Sequence, residues 1–268
     1  MPIETINGIR LSYTDTGSGE PVVLIMGTGS GGRVWHLHQV PALTAAGYRA
    51  ITFDNRGIPP SEVCPEGFTV DDMVADVVGL VERLELGPVR VVGTSMGAHV
   101  AQELALARPD LVRQAVLMAS RGRSDALQIA RAEAEKALHD SGVVLPARYA
   151  AVVQAMQVLS PATTEHDQRT RDWLDLLEFS TSDSGPGYRA QLALEPMPDR
   201  LVAYRGIRVP CHVISFADDL LTPPRSGREL AASIPGAQFE VIENCGHYGY
   251  LEEPELVNKS ILGFFAAA

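Results

Sequence analysis

Positive charge is in short supply in this chain. Its 22 basic residues face 33 acidic ones, a formal charge of −11, which argues against nucleic acid or an anionic membrane as a partner. Lysine is nearly absent: Lys136 and Lys259 are the only two. Cysteine is scarce as well. Cys64, Cys211 and Cys245 are too few and too scattered for a disulfide framework or a zinc site, and their odd number fits a reducing compartment. No stretch approaches the ~20 uninterrupted apolar residues of a membrane span. Residues 1–8 lack the basic patch and apolar core of a secretory signal. These absences lead to the expectation of a soluble, cytoplasmic protein. What remains is ordinary for a folded domain: 268 residues, 46% hydrophobic and 21% charged, a composition that excludes disorder.

Apolar runs and helical periodicity alternate along the first half. Residues 3–16 hold two short β-like stretches broken at Asn7-Gly8, a hairpin signal. Residues 21–26 (PVVLIM) read as a buried parallel strand that runs into a glycine loop. Strands follow at 48–53, 89–92 and 115–119, with helices at 70–86 and 97–107 between them. This alternation predicts an α/β fold, a parallel sheet with helices on its faces. It stops at residue 121. From there to about 208 the pattern is helical, at roughly 125–140, 147–159 and 164–179, with a turn-rich break at 182–187. Strand character returns at 211–216 and 238–242, each followed by a helix, near 225–234 and 254–265. The helical block is thus an insertion between two strands. Such a block covers the strand ends or packs to one side, and the strand C-termini are where α/β sheets place ligands.

Gly93-Thr94-Ser95-Met96-Gly97 reads G-x-S-x-G, after the strand VRVV and before the helix AHVAQELALA. A serine on a tight strand-to-helix turn has its oxygen exposed, and the helix N-terminus offers positive potential to developing negative charge. A serine hydroxyl needs a base, and the base needs an orienting acid. Of the seven histidines, His247 stands in a loop between the last strand and the last helix, a fitting place for a base. His36 and His38 lie near the first glycine loop. His99 is one helical turn past Ser95, His139 and His166 fall in the helical block, and His212 is inside a strand. Asp218 and Asp219 end the penultimate strand. Adjacent side chains there point in opposite directions, so only one can face His247.

A rival of another class is also present. Gly27-x-Gly29-x-x-Gly32 follows a strand, and Asp54 ends the next one, 22 residues on, which mimics a nicotinamide-dinucleotide fingerprint. Pro41 interrupts the helix that this reading requires, and the reading leaves Ser95 and His247 unexplained. The serine hydrolase reading is preferred, with a nicotinamide-dependent oxidoreductase as the alternative.

The sequence resembles the α/β-hydrolase superfamily over essentially its whole length. The segments behind the resemblance are LIMGTGSGG, FDNRG, GTSMG, FADDLLTP and GHYGYLEEP. Within the superfamily it looks most like cofactor-free haloperoxidase and perhydrolase-type serine esterases, the bromoperoxidase-like hydrolases of actinobacteria. Enol-lactonases and C–C hydrolases are more distant matches. The resemblance implies an α/β-hydrolase core at 1–120 and 209–268 with a helical lid at 121–208, and a catalytic triad of Ser95, Asp219 and His247. Asp219 is chosen because the family's acid precedes a proline by four positions, here Pro223. The backbone N–H groups of Thr28 and Met96 are the implied oxyanion hole. Two departures stand out: Met26 replaces a histidine usual before Gly27, and Pro59 replaces a glycine in a segment that borders the pocket floor. No metal or organic cofactor is implied. The expected substrate is a small ester, thioester or lactone with an apolar acyl or alcohol part, in a pocket lined by Trp35, Met156, Trp173, Leu177, Phe179, Tyr188 and Tyr248. An acyltransferase or cyclase on the same scaffold is the related alternative. A dehalogenase or epoxide hydrolase is disfavoured because both usually have aspartate where this chain has Ser95.

Overall fold

The computed structural model describes residues 2–180 and 185–267. Eight strands form one sheet: β1 (Ile3–Ile6), β2 (Ile9–Gly17), β3 (Glu20–Ile25), β4 (Tyr48–Phe53), β5 (Val89–Thr94), β6 (Val112–Met118), β7 (Cys211–Phe216) and β8 (Gln238–Ile242). Their order is β1-β2-β4-β3-β5-β6-β7-β8. β1 and β2 form an antiparallel hairpin, and β2 pairs antiparallel with β4. From β4 through β8 all neighbours are parallel. The hairpin turns at Asn7 (φ 49°) and Gly8 (φ 78°). Both central residues have positive φ, the type I′ geometry that suits the twist of a hairpin and that Asn-Gly favours.

The parallel strands are apolar on both faces because helices cover both. Val23, Ile25, Ile51, Val91, Leu117 and Val213 face one layer, packed against α2 (Val70–Arg83), α3 (Met96–Ala107) and α10 (Pro224–Ser233). Val22, Leu24, Val92, Val116 and Ile214 face the other, packed against α1 (Gln39–Ala45), α11 (Gly249–Glu252) and α12 (Pro254–Ala266). α2 shows how local sequence sets a boundary. The Thr69 hydroxyl accepts from the Asp72 N–H, and the Asp72 carboxylate accepts from the Thr69 N–H. That capping box satisfies two amides that lack intrahelical partners, and Met73, Val77 and Leu80 then turn inward.

Between β6 and β7 lie α4 (Ala126–Asp140), α5 (Ala147–Val158), α6 (Pro161–Thr164), α7 (Asp167–Ser180), α8 (Pro186–Leu192) and α9 (Leu201–Tyr204). α5 and α7 share a small core of Ala151, Ala155, Val158, Leu159 and Leu177, against which Trp173, Leu174, Leu221 and Tyr248 pack. Of the break expected at 182–187, residues 182–184 lie outside the described residues, and Gly185 caps α8. Among the described residues no helix is long and apolar enough to cross a membrane.

Candidate active site

Ser95 stands between β5 and α3, at the C-terminal edge of the sheet, with φ 54° and ψ −119°. A non-glycine residue held there stores strain of about 1–3 kcal/mol, which its surroundings must enforce. They do so by close approach. A side-chain carbon at Gly93 would collide with the Gly97 carbonyl, and one at Gly97 with the Ile25 carbonyl, so only glycine fits either position. The Ser95 N–H donates to the Met118 carbonyl at 3.0 Å, which ties the turn to β6.

His247 lies in the loop after β8, Asp219 in the loop after β7, and both are buried. The imidazole Nδ1 is 2.8 Å from Asp219 Oδ2. A carboxylate only accepts, so Nδ1 carries the proton and Nε2 is left to face a reacting group. Asp219 accepts three further bonds: from the Leu221 and Thr222 N–H groups at 2.8 Å each, and from the Thr222 hydroxyl at 2.6 Å. Burial pushes the Asp219 carboxyl pKa up, but the His247 and Thr222 contacts outweigh it and hold the carboxyl below its ordinary value. The Asp218 N–H donates to the Cys245 carbonyl at 2.8 Å, and among the described residues it is Asp219 that meets His247.

No hydrogen bond joins Ser95 to His247 among the described residues, but packing brings their loops to the same place. Gly27 lies against the Ser95 side chain. The preceding Met26 packs with Cys245 and Tyr250, the residues that flank His247. The Tyr250 hydroxyl reaches Met26 Sδ at 3.8 Å. Catalytic hydrogen bonds are often long before a substrate binds. A surface groove of about 550 Å³ along α2, beside Asn7, Asp71 and Glu82, brings no nucleophile and base together, so the sheet edge is the better candidate.

Thr28 and Met96 come together at this edge, with the Thr28 hydroxyl 3.6 Å from Met96 Sδ. The Thr28 loop lacks a bracing histidine at position 26, and other residues brace it. The Asn55 amide donates to the Met26 carbonyl at 2.9 Å. Asp54 Oδ1 accepts from the Gly32 N–H at 2.8 Å. Gln191 of α8 accepts from the Gly29 N–H at 2.7 Å and donates to the Arg56 carbonyl at 3.0 Å. Asp54 is buried against that loop, and Gly32 opens a short 3-10 turn (Gly32–Leu37), so the dinucleotide reading has neither its ribose acid nor its phosphate-binding helix.

The expected pocket lining divides. Tyr188 packs on Gly29, and Tyr248 adjoins His247 with ring centroids 6.2 Å apart. Trp173 sits 6.3 Å from the Tyr248 ring. Leu177 is enclosed in the helical block's own core, and Trp35 is fully buried against Tyr250. Met156 and Phe179 need correction: they are 71% and 78% exposed. The inward stripe of α5 is Ala151, Ala155 and Val158, which turns Met156 outward, and α7 likewise buries Leu177 rather than Phe179. Pro59 is exposed.

Sequence reasoning missed Gln191, Asn55 and Glu252. Glu252 is buried and accepts from the Ser160 N–H and hydroxyl, at 2.8 Å each, and from the Gly246 N–H at 2.7 Å. It thereby joins the α5–α6 junction to the residue before His247. Only the segments FDNRG and GHYGYLEEP hinted at two of these three.

Comparison with known proteins gives the family. The model of the Alpha/beta hydrolase family matches residues 22–260. The chain is 49% identical over 259 residues to "Putative non-heme bromoperoxidase BpoC" of Mycobacterium tuberculosis, which covers 97% of this chain and 98% of that protein. The crystal structure of that protein superposes with a TM-score of 0.92, at 48% identity, over 96% of each chain. A 2-hydroxy-6-oxononadienedioate/2-hydroxy-6-oxononatrienedioate hydrolase of Pseudomonas putida is 30% identical over 265 residues, 96% of this chain and 91% of that one. The enol-lactonase of Burkholderia xenovorans superposes with a TM-score of 0.81 at 25% identity, over 99% of this chain and 100% of that one. With a family match across most of its length and hydrolase and bromoperoxidase-like relatives, this chain belongs to the alpha/beta hydrolase family.

Proposed function

We propose that this protein is a serine hydrolase that cleaves a carboxylic ester, thioester or lactone through an acyl-enzyme at Ser95. The observation that carries the reading is the Asp219–His247 hydrogen bond, placed at the same sheet edge as the Ser95 turn. Ser95 Oγ attacks the carbonyl carbon as its proton passes to His247 Nε2. Asp219 holds the imidazole in the tautomer that accepts it and stabilises the cation that forms. The Thr28 and Met96 N–H groups receive the oxyanion, and one such donor is worth roughly 3 kcal/mol. The carbonyl re-forms, the leaving group departs with the proton from His247, and water repeats the sequence to release the acid. Residues 121–208 act as the lid over this core. Tyr188, Tyr248 and Trp173 form an apolar wall for the acyl or alcohol part. Three buried free thiols, Cys64, Cys211 and Cys245, suit a reducing cytoplasm.

A second reading concerns the acceptor. The 49% identity to a protein named as a bromoperoxidase favours hydrogen peroxide as an alternative to water, converting the same acyl-enzyme to a peracid. The test is a 4-nitrophenyl ester series of increasing chain length on wild type and Ser95→Ala, with a fluorophosphonate probe followed by mass spectrometry. Wild type should hydrolyse the esters and label at Ser95, and Ser95→Ala should lose about 10³-fold or more in kcat/KM. An alanine variant with wild-type rates would overturn the acyl-enzyme.

A further inference from the structure

We propose that Met96 is an oxidation site, converted by hydrogen peroxide to the sulfoxide, and that this conversion switches the enzyme off. The inference rests on the Ser95 reading and adds a regulation of the same site. Met96 follows Ser95 and opens α3. Its N–H is one of the two donors proposed for the oxyanion, and its side chain reaches the residue that supplies the other. Met96 Sδ accepts from the Thr28 hydroxyl at 3.6 Å, and that bond is exposed. Thr28 itself is exposed, and Ser95 and Met96 are half-buried rather than sealed. A thioether contact thus joins the two residues whose N–H groups are to receive the developing charge.

The other sulfur atoms of the described residues are placed differently. Met26, Met73, Met118 and Met197 are buried. Met156 is exposed, but it lies on the outward face of α5. Cys64, Cys211 and Cys245 are buried free thiols. Peroxide attacks the thiolate, and burial pushes all three thiols up, Cys211 and Cys245 to about 12, so they stay protonated. A thioether needs no deprotonation to react, so access decides among the methionines. The Met96 sulfur lone pair attacks one oxygen of hydrogen peroxide. The S–O bond forms as the O–O bond breaks, and the departing hydroxide takes the proton of the new S–OH group and leaves as water. Sulfur is oxidised by two electrons, and the peroxide is reduced by two. The product exchanges a weak acceptor for a strong, polar one. Its oxygen holds partial negative charge beside the Thr28 loop, and it therefore opposes the negative charge that develops on the substrate in the transition state.

The test treats wild type, Met96→Leu and Met156→Leu with hydrogen peroxide, removes the peroxide, and measures 4-nitrophenyl ester hydrolysis by each protein against its own untreated rate. Peptide mass spectrometry reads the oxygen gained at each methionine. Wild type and Met156→Leu should lose about tenfold or more in kcat in step with the oxidised fraction of Met96. Met96→Leu should keep its own starting rate. Methionine sulfoxide reductases A and B should restore the treated wild type, and thiol reductant alone should not. Equal loss in Met96→Leu, full activity with Met96 oxidised, Met96 left unoxidised while Met156 is converted, or rescue by thiol alone would each overturn the proposal. Should the leucine variant not fold, the match between rate and Met96 oxidation in wild type decides, together with the reductase rescue. Ser95→Ala separates the two levels. If it hydrolyses the esters at the wild-type rate, the acyl-enzyme reading fails, and the peroxide response of Met96 still stands or falls by the same comparison of mass and rate.

Discussion

Gln191 decides how firmly the β3 loop is held beside Ser95. Only 3% of it is exposed, and its amide answers two backbone groups at once, the Gly29 N–H and the Arg56 carbonyl. Replacing it with an apolar residue strands both groups in a buried place, at about 1–3 kcal/mol each. The Thr28 N–H is one residue from Gly29, so the loss should appear in the transition state more than in substrate binding. Gln191→Leu is expected to lower kcat on a 4-nitrophenyl ester about 10- to 100-fold with a smaller change in KM. Gln191→Glu, which keeps the acceptor for Gly29, should lose less. Steady-state kinetics on the two variants check this, and equal rates in both would mean that the loop does not lean on Gln191. Nothing in the sequence marks this residue, because a glutamine in a helical block reads as a solvated side chain until a distant loop is seen to need it. The turn at Ser95 and the loop position of His247 were legible for the opposite reason. A serine between two glycines and a histidine after the last strand declare themselves by local pattern.

At the scale of elements, the sheet was legible and the helical block was not. Strands buried on both faces must be apolar throughout, so 21–26 and 211–216 read correctly as β3 and β7 within a residue. The helices of the block were placed by their periodicity, yet their inward faces were misjudged. The large side chains Met156 and Phe179 drew the eye, whereas α5 and α7 approach closely through Ala151 and Ala155. Polar links between elements were invisible too, Glu252 among them. Its carboxylate takes three donors from the α5–α6 junction and the His247 loop. Hydrogen bonds to a charged group contribute about 1.5–3 kcal/mol. Glu252→Gln places an NH₂ group opposite donors, and it is expected to lower the melting temperature by roughly 5–10 °C. Differential scanning calorimetry measures this, and an unchanged melting temperature would show that the junction holds without the carboxylate.

At the scale of the whole molecule, one carboxylate couples the junction of the core and the helical block to pH. Glu103 of α3 meets Arg200 through bonds of 2.8 and 2.7 Å and the buried Tyr204 hydroxyl at 2.7 Å. Those partners lie where the helical block returns to β7, so the network ties the block's exit to the helix that follows Ser95. Burial pushes the Glu103 pKa up, but His99, Arg200 and Tyr204 outweigh burial and bring it to about 2. His99 Nε2 stands 3.8 Å away, so the short Arg200 bonds supply most of the pull. The folded value lies below the ordinary 4.5, so the unfolded chain binds the proton more tightly. The resulting stability is fully present above pH 4.5 and is lost as the pH falls toward 2, amounting to about 3 kcal/mol. Its side chain is only 12% exposed, so solvent screens little of this. Denaturant unfolding of wild type and Glu103→Gln should show the gap between them narrowing by about 2 kcal/mol from pH 6 to pH 3. A gap that stays constant over that range would place the folded pKa of Glu103 at its unfolded value and remove the network from the acid response. The many other carboxylates of this acidic chain titrate in both proteins alike, so the difference isolates Glu103 from the general charge repulsion that also grows as the pH falls.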